Sequence, residues 1–259
     1  MQRLATAAAL IAGAVYLIYL APSWAFMGAA LLVSLMCYSE YSGLVGAHGI
    51  PRPGIFGVLA GLLILFRPQD MLLGLALLTV LALILALRRD ELRKILPQIA
   101  CAFFGALYTF VPWRFAVNVR QISVHLLFFA LALNWIGDTA AYYIGRAFGR
   151  HKLAPVVSPK KSWEGAIASV VASILFGVLY LGRFVPALPW WQVTVMAIFG
   201  NIAGQFGDLA ESAIKRGAGV KDSGTMLPGH GGMLDRTDSS MFALPAVYGM
   251  YLLAVLLRS

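Results

Sequence analysis

Met71-Leu-Leu-Gly-Leu-Ala-Leu-Leu-Thr-Val-Leu-Ala-Leu-Ile-Leu-Ala-Leu87 runs for 17 residues without a charge, between Asp70 and Arg88-Arg89. That is close to the roughly 20 apolar residues that a bilayer-spanning helix uses. Similar runs recur outward in both directions. They lie near residues 4–21, 24–46, 54–66, 97–112, 122–147, 163–182, 190–215 and 239–257. The run at 54–66 is short enough to be tilted or re-entrant. Pro22, Pro51, Pro53, Pro68, Pro97, Pro155, Pro159 and Pro189 fall in the gaps or at helix starts, where helix breakers belong. The fold class expected is therefore all-α, a polytopic membrane helix bundle of about nine transmembrane helices.

Composition agrees. Of the 259 residues, 60% are apolar or aromatic and 12% are charged, and the 26 glycines raise the apolar share to about 70%. An average soluble domain has roughly 45–50% apolar residues with glycine included and about twice this charge. A soluble domain, a disordered chain and a basic nucleic-acid-binding module are excluded as first readings. Nine spans of about 20 residues leave about 80 for every loop and both ends, too few for a separate soluble domain. Cys37 and Cys101 sit in apolar runs and read as small core hydrophobes. The first run, behind Arg3, lacks a clear small-residue cleavage site and reads as a retained span.

The net charge of +9 reports topology first. Fifteen of the 20 basic residues fall in loops on one side of the expected bundle. That side is expected to be cytoplasmic, with the N-terminus inside and the C-terminus outside. Charge also divides the chain lengthwise, because residues 138–238 carry 17 of the 31 charged groups. Residues 1–120 read as N-terminal scaffold helices, and residues 121–259 as the region that carries chemistry.

Three constellations stand out in that region. In the first, Trp135, Asp138, Tyr142, Gly145 and Gly149 share one helical face. An aspartate in an apolar span costs a few kcal/mol on insertion scales, so Asp138 is either functional or structurally paired with an arginine of a neighbouring helix. The two glycines read as packing contacts. In the second, Ser158-Pro159-Lys160-Lys161-Ser162-Trp163-Glu164, Ser162 is a good N-cap and Glu164 a favourable first-turn acid. Lys160 and Lys161 oppose the helix dipole there. They read either as a bound-anion site or as a topology signal attracted to anionic headgroups.

The third constellation is the densest. Asp208, Glu211 or Ser212, and Lys215 follow one helical face. Arg216 follows, then Lys221, Asp222 and His230 among six glycines at positions 217–232, and the run ends in Asp235-Arg236-Thr237-Asp238. Carboxylates with hydroxyl oxygens suit Mg²⁺, which shares its sphere with water and substrate phosphates. Lysine and arginine beside them suit a polyphosphate. No Walker A loop occurs, and the histidines at 48, 125, 151 and 230 form no zinc signature. These residues point to a membrane-embedded, Mg²⁺-dependent handler of phosphates on the cytoplasmic side.

The run from Ser212 to Asp238 resembles the signature of the phosphatidate cytidylyltransferases, or CDP-diacylglycerol synthases. Ser212, Ile214, Lys215, Arg216, Lys221, Asp222, Gly224, Leu227, Pro228, His230, Gly231, Gly232, Met233, Asp235, Arg236, Thr237 and Asp238 stand in register with it. Asp138 with Ala141, Tyr142 and Gly145, and Ser158-Pro159-Lys160-Lys161, are similar to the family too, with Ser162 where threonine is more usual. The resemblance covers roughly residues 135–240.

It implies an enzyme of phospholipid biosynthesis that transfers CMP from CTP to phosphatidic acid, giving CDP-diacylglycerol and pyrophosphate. It implies Asp208, Lys215, Asp235 and Asp238 as catalytic residues. Asp208 and Asp235, with Asp238, Asp222 and Asp138, are candidate Mg²⁺ ligands, and the number of carboxylates allows a second metal ion. Ser212, Arg216, Lys221 and Arg236 are expected at the phosphates, with Lys160 and Lys161 on the lipid phosphate or the triphosphate. His230 either donates to a phosphate or shapes the loop. The expected partners are CTP, phosphatidic acid and membrane lipids, with no nucleic acid. The family suggests a homodimer and a multi-pass protein of the bacterial inner membrane. A CTP-dependent kinase of a polyprenol or phytol-like alcohol is the alternative enzyme. A cation-coupled transporter using Asp138 and Asp208 is the alternative from another class.

Overall fold

A computed structural model describes residues 12–87, 91–226 and 231–257. Residues 12–19 are helical. They are followed by α1 (Ser23–Ala47), α2 (Ile55–Phe66), α3 (Met71–Ala86), α4 (Ile95–Ile122), α5 (Val124–Phe148), β1 (Lys152–Ala154), β2 (Ser158–Ser162), α6 (Trp163–Phe184), α7 (Trp190–Gly217) and α8 (Leu234–Leu256). Among the described residues, seven helices are long and apolar enough to cross a membrane, and α2, at 12 residues, is a shorter apolar helix. The expectation of a multi-span helical membrane protein holds. Most of the first expected span lies outside the described residues.

Two boundaries need correction. The fifth run does not stop at Pro112, because α4 continues to Ile122. Proline removes one backbone donor but can be accommodated inside a membrane helix. Arg114 therefore lies in a helix, not a loop, and donates to the Leu65 carbonyl at 3.1 Å. The last helix starts at Leu234, five residues before the expected 239, so Asp235 and Asp238 sit in its opening turns. The chain is also not purely α-helical. Lys152–Ala154 and Ser158–Ser162 pair as an antiparallel hairpin with an irregular register. Pro155 enters its turn, and Pro159 is tolerated because a two-stranded ribbon consists only of edges.

The described residues form two compact units, one within residues 12–114 and 214–236, the other within 115–213 and 237–257. In the first, Tyr38 and Tyr41 of α1 pack against Phe104, Tyr108 and Phe110 of α4. The Tyr41 hydroxyl donates to the Cys101 carbonyl at 3.1 Å. A β-carbon on Gly57 or Gly105 would overlap Tyr38 or Tyr41, so these glycines let the rings lie against backbone. Ser34, Thr79 and Thr109 donate to carbonyls four residues earlier, which satisfies their hydroxyls within apolar helices.

In the second unit, α6 buries Gly165, Ser169, Ser173, Gly177 and Leu181 at every fourth position. This stripe of small residues brings α6 close to α5, as in small-xxx-small pairs of membrane helices. Polar side chains also link the helices. Ser173 donates to the Leu133 carbonyl at 2.8 Å, and Asn201 of α7 donates to Ser169 and Ser173 at 2.9 and 2.8 Å.

Candidate active site

The hairpin and α7 build the first cluster, within the second unit. Ser162 ends β2 and caps α6, accepting from the Gly165 amide at 3.2 Å as its N-cap reading requires. Glu164 turns back to His151, 2.7 Å from its Nδ1. In the strand leading to this cap, Lys160 is exposed and Lys161 half-buried. Lys161 Nζ lies 2.6 Å from Asp208 Oδ2. Ser212, one turn on along α7, donates to Asp208 Oδ1 at 3.3 Å. Asp138 of α5 lies within electrostatic reach of Asp208 and Lys161. It faces acidic and lysine partners here, not the arginine of the structural alternative.

These elements enclose a cavity of about 480 Å³, within the size range of small-molecule sites. Arg146, Lys152, Lys160 and Lys161 supply its cations, Asp138 its acid, and Ser162, Ser169 and Gln205 uncharged polar groups. Tyr142 and Gly145, on the α5 face expected to carry them, line it as well. Gly145 also acts in packing, since a β-carbon there would lie 3.2 Å from Ser162 Oγ.

The second cluster lies within the first unit and holds the C-terminal loop. Lys215 Nζ lies 2.5 Å from Asp235 Oδ1, with both side chains at most 10% exposed. Asp235 Oδ2 accepts from the Ser223 amide at 2.9 Å and the Gly232 amide at 2.8 Å. Ser223 Oγ lies 3.0 Å from both Asp235 Oδ2 and Glu40 Oε2, so its single proton serves one carboxylate at a time. Glu40 of α1 also accepts from the Met233 amide at 2.9 Å and the Leu234 amide at 2.8 Å. Gly232 must be glycine for this arrangement, because a β-carbon would overlap Ser223 Oγ and Glu40 Oε2. Gly231 supplies the turn at φ +79°.

The structure thus pairs Lys161 with Asp208, Asp208 with Ser212, and Lys215 with Asp235. Arg216 donates to the Val220 carbonyl at 2.9 Å, bracing its own loop. Lys221, Asp222 and Arg236 are exposed. Asp238 is half-buried and accepts from the Ser239 amide at 2.6 Å. His230 lies outside the described residues. Sequence reasoning missed Glu40, a lone acid in an apolar run whose cost in a span could have flagged it. It also missed the Ser169–Asn201–Gln205 polar chain.

Among the described residues no three His, Cys, Asp or Glu side chains converge on one point. The donor set nonetheless fits a magnesium ion. Asp138 and Asp208 are two hard carboxylates sharing one lysine, with the Ser212 hydroxyl alongside. Mg²⁺ characteristically takes one or two carboxylates and completes its sphere with water and phosphate oxygens. Asp235 differs, since both its oxygens already accept from Lys215, Ser223 and Gly232.

Helices that cross the bilayer, a basic cavity among them and acids paired with lysines define a membrane-embedded protein equipped to handle phosphates. The chain belongs to the cytidylyltransferase family, whose sequence profile matches residues 1–254. It is 36% identical over 223 residues to a phosphatidate cytidylyltransferase of Staphylococcus haemolyticus, covering 83% of this chain and 85% of that protein. It is 34% identical over 204 residues to that of Staphylococcus saprophyticus, covering 74% and 76%. A phosphatidate cytidylyltransferase of Staphylococcus epidermidis is 35% identical over 225 residues, with 83% and 85% covered.

Proposed function

We propose that this chain transfers the cytidylyl group of CTP to phosphatidic acid. An oxygen of the phosphatidate phosphomonoester attacks the α-phosphorus of CTP. The bond from that phosphorus to the oxygen bridging toward the β-phosphate breaks, and pyrophosphate leaves in line. The products are CDP-diacylglycerol and pyrophosphate. The attacking oxygen is already anionic, so no strong base is needed. The protein's work is to bring two polyanions together and stabilise charge on the leaving group. Arg146, Lys152, Lys160 and Lys161 offer that charge around the cavity. Lys215, Arg216, Lys221 and Arg236 are proposed to grip phosphates in the loop region, with Ser212 and His230 as further phosphate donors.

Asp208 and Asp138 would hold Mg²⁺, with Asp238 of the same unit as a further ligand. Asp235, in the other unit, would be free to take a metal ion only by giving up Lys215. The bound ion would supply charge neutralisation between nucleotide and lipid phosphates. In this reading the chain crosses the bilayer about nine times as a homodimer in a bacterial inner membrane, with the basic hairpin on the cytoplasmic side.

The observation that carries the reading is the cavity itself. A cluster of cations, three on the hairpin and Arg146 on α5, beside two carboxylates carried by apolar helices, suits a substrate pair in which one member is a lipid. Pyrophosphate release from CTP by the purified protein tests it. Release that depends on both phosphatidic acid and Mg²⁺ is expected. No release with phosphatidic acid present would overturn the proposal.

A further inference from the structure

We infer that Gln205 and Ser169 read the cytosine ring at the inner end of the cavity. The inference rests on the cytidylyl-transfer reading above and assigns the group that selects the nucleotide base.

Hydrogen-bond polarity around these two residues is determined from one end. The Leu133 carbonyl can only accept, so Ser173 Oγ donates its proton there at 2.8 Å. Ser173 Oγ must then accept from Asn201 Nδ2 at 2.8 Å, and the second hydrogen of the same amide goes to Ser169 Oγ at 2.9 Å. Asn201 Oδ1 is thereby left as an acceptor and takes Gln205 Nε2 at 2.7 Å. The second Gln205 hydrogen goes to the Ala166 carbonyl at 3.2 Å. Both hydrogens of the Gln205 amide are committed, and what Gln205 offers the cavity is its carbonyl oxygen. Ser169 Oγ accepts from Asn201, and its own proton has no acceptor among the described residues. It is 2% exposed.

Both residues line the cavity. Ser169 is two turns into α6 from the cap at Ser162, and Gln205 is one turn before Asp208 on α7. The inner end of the cavity therefore presents one fixed acceptor and one donor, with Ala141, Ala166 and Tyr142 as less polar walls and the cations toward the hairpin. Cytosine has the complementary edge, because its 4-amino group donates and its N3 accepts. The amino group meets Gln205 Oε1, and N3 takes the Ser169 proton. Uracil reverses both positions: its O4 would face the Gln205 oxygen, acceptor against acceptor, and its N3–H would force the Ser169 hydroxyl to turn from donor to acceptor. Such a reversal leaves buried polar groups unpaired, a strong basis for discrimination. The glycerol esters of a lipid offer acceptors alone and would leave the Gln205 oxygen facing another acceptor.

The test uses the full chain in lipid nanodiscs with phosphatidic acid, comparing CTP and UTP as competing substrates. The CTP-over-UTP preference is a ratio measured on one preparation, so it does not depend on the folded fraction. Gln205→Leu and the milder Ser169→Ala are each expected to lower that preference at least about tenfold. The KM for phosphatidic acid should stay within about twofold of the native value. An unchanged preference in both variants overturns the inference. So does a KM for phosphatidic acid that rises in step with that for CTP, which would assign the inner end to the lipid. If the native protein fails to turn over CTP at all, the cytidylyl-transfer reading falls instead.

Discussion

Glu40 Oε2 accepts a hydrogen bond from the Leu234 amide at 2.8 Å, joining residues 194 positions apart. Leu234 opens α8, and the neighbouring Met233 amide donates to Glu40 Oε1. The first amides of a helix have no partner inside it and carry the positive end of its dipole. A buried carboxylate from α1 thus acts as an N-terminal cap delivered from elsewhere in the chain. It also holds the opening turn of α8, which carries Asp235.

Glu40→Ala should therefore lower stability by leaving the buried Leu234 amide and the half-buried Met233 amide without an acceptor, at about 1–3 kcal/mol for a fully buried unsatisfied group. Glu40→Gln keeps one acceptor and should lose less. Thermal unfolding of the detergent-solubilised protein is expected to rank the melting temperatures native, Gln, Ala. Equal values for all three would remove Glu40 from the cap.

The Lys215–Asp235 pair allows stability and turnover to be separated. Lys215→Met leaves a buried carboxylate without its cation, which typically costs about 3–5 kcal/mol. The double variant Lys215→Met/Asp235→Leu removes both charges and should recover much of that loss. Turnover should stay at least about a hundredfold below native in both. A double variant with native turnover would reduce the pair to a structural role.

Metal dependence should follow Asp208. Chelation is expected to abolish turnover and added Mg²⁺ to restore it. Asp208→Asn should raise the Mg²⁺ concentration for half-maximal activity at least about tenfold. Asp70→Asn, at an exposed acid 3.8 Å from Arg67, should leave that concentration unchanged. A Mg²⁺ titration of Asp208→Asn that overlays the native curve would remove Asp208 from the ion's ligands.

Gly137→Ala probes the polar chain from outside the cavity. Its β-carbon would overlap Ser169 Oγ and lie 2.5 Å from Asn201 Nδ2. Overpacking of this kind costs about 1–3 kcal/mol. The melting temperature should fall accordingly, and a native value would show that α5 and α6 can separate at no cost.

Much of this architecture is legible in the chain because the bilayer makes it so. Apolar run length sets the helices, and Ser162 marks the start of α6 by local capping chemistry. Asp208 and Ser212 could be placed together because helical spacing is short-range. The features that escaped are those decided at long range or by one tolerated exception. Glu40 has its partners nearly 200 positions away, and no local pattern announces them. α4 runs through Pro112 because a membrane helix tolerates a proline that composition reads as a stop. The hairpin at 152–162 carries prolines and lysines that read equally well as a loop, so the Lys161–Asp208 pairing was not foreseeable. The Asn201–Gln205 chain hides inside an apolar helix whose polar residues look incidental until Ser169 and Ser173 are seen opposite.

The most direct measurement of the central claim follows the phosphorus atoms of CTP. Purified protein, Mg²⁺ and phosphatidic acid are incubated with CTP labelled at either the α- or the γ-phosphorus, and the lipid fraction is extracted. Cytidylyl transfer predicts α-label in the lipid and γ-label in pyrophosphate. Label from the γ-position in lipid, with CDP left in water, would contradict the account and indicate a kinase.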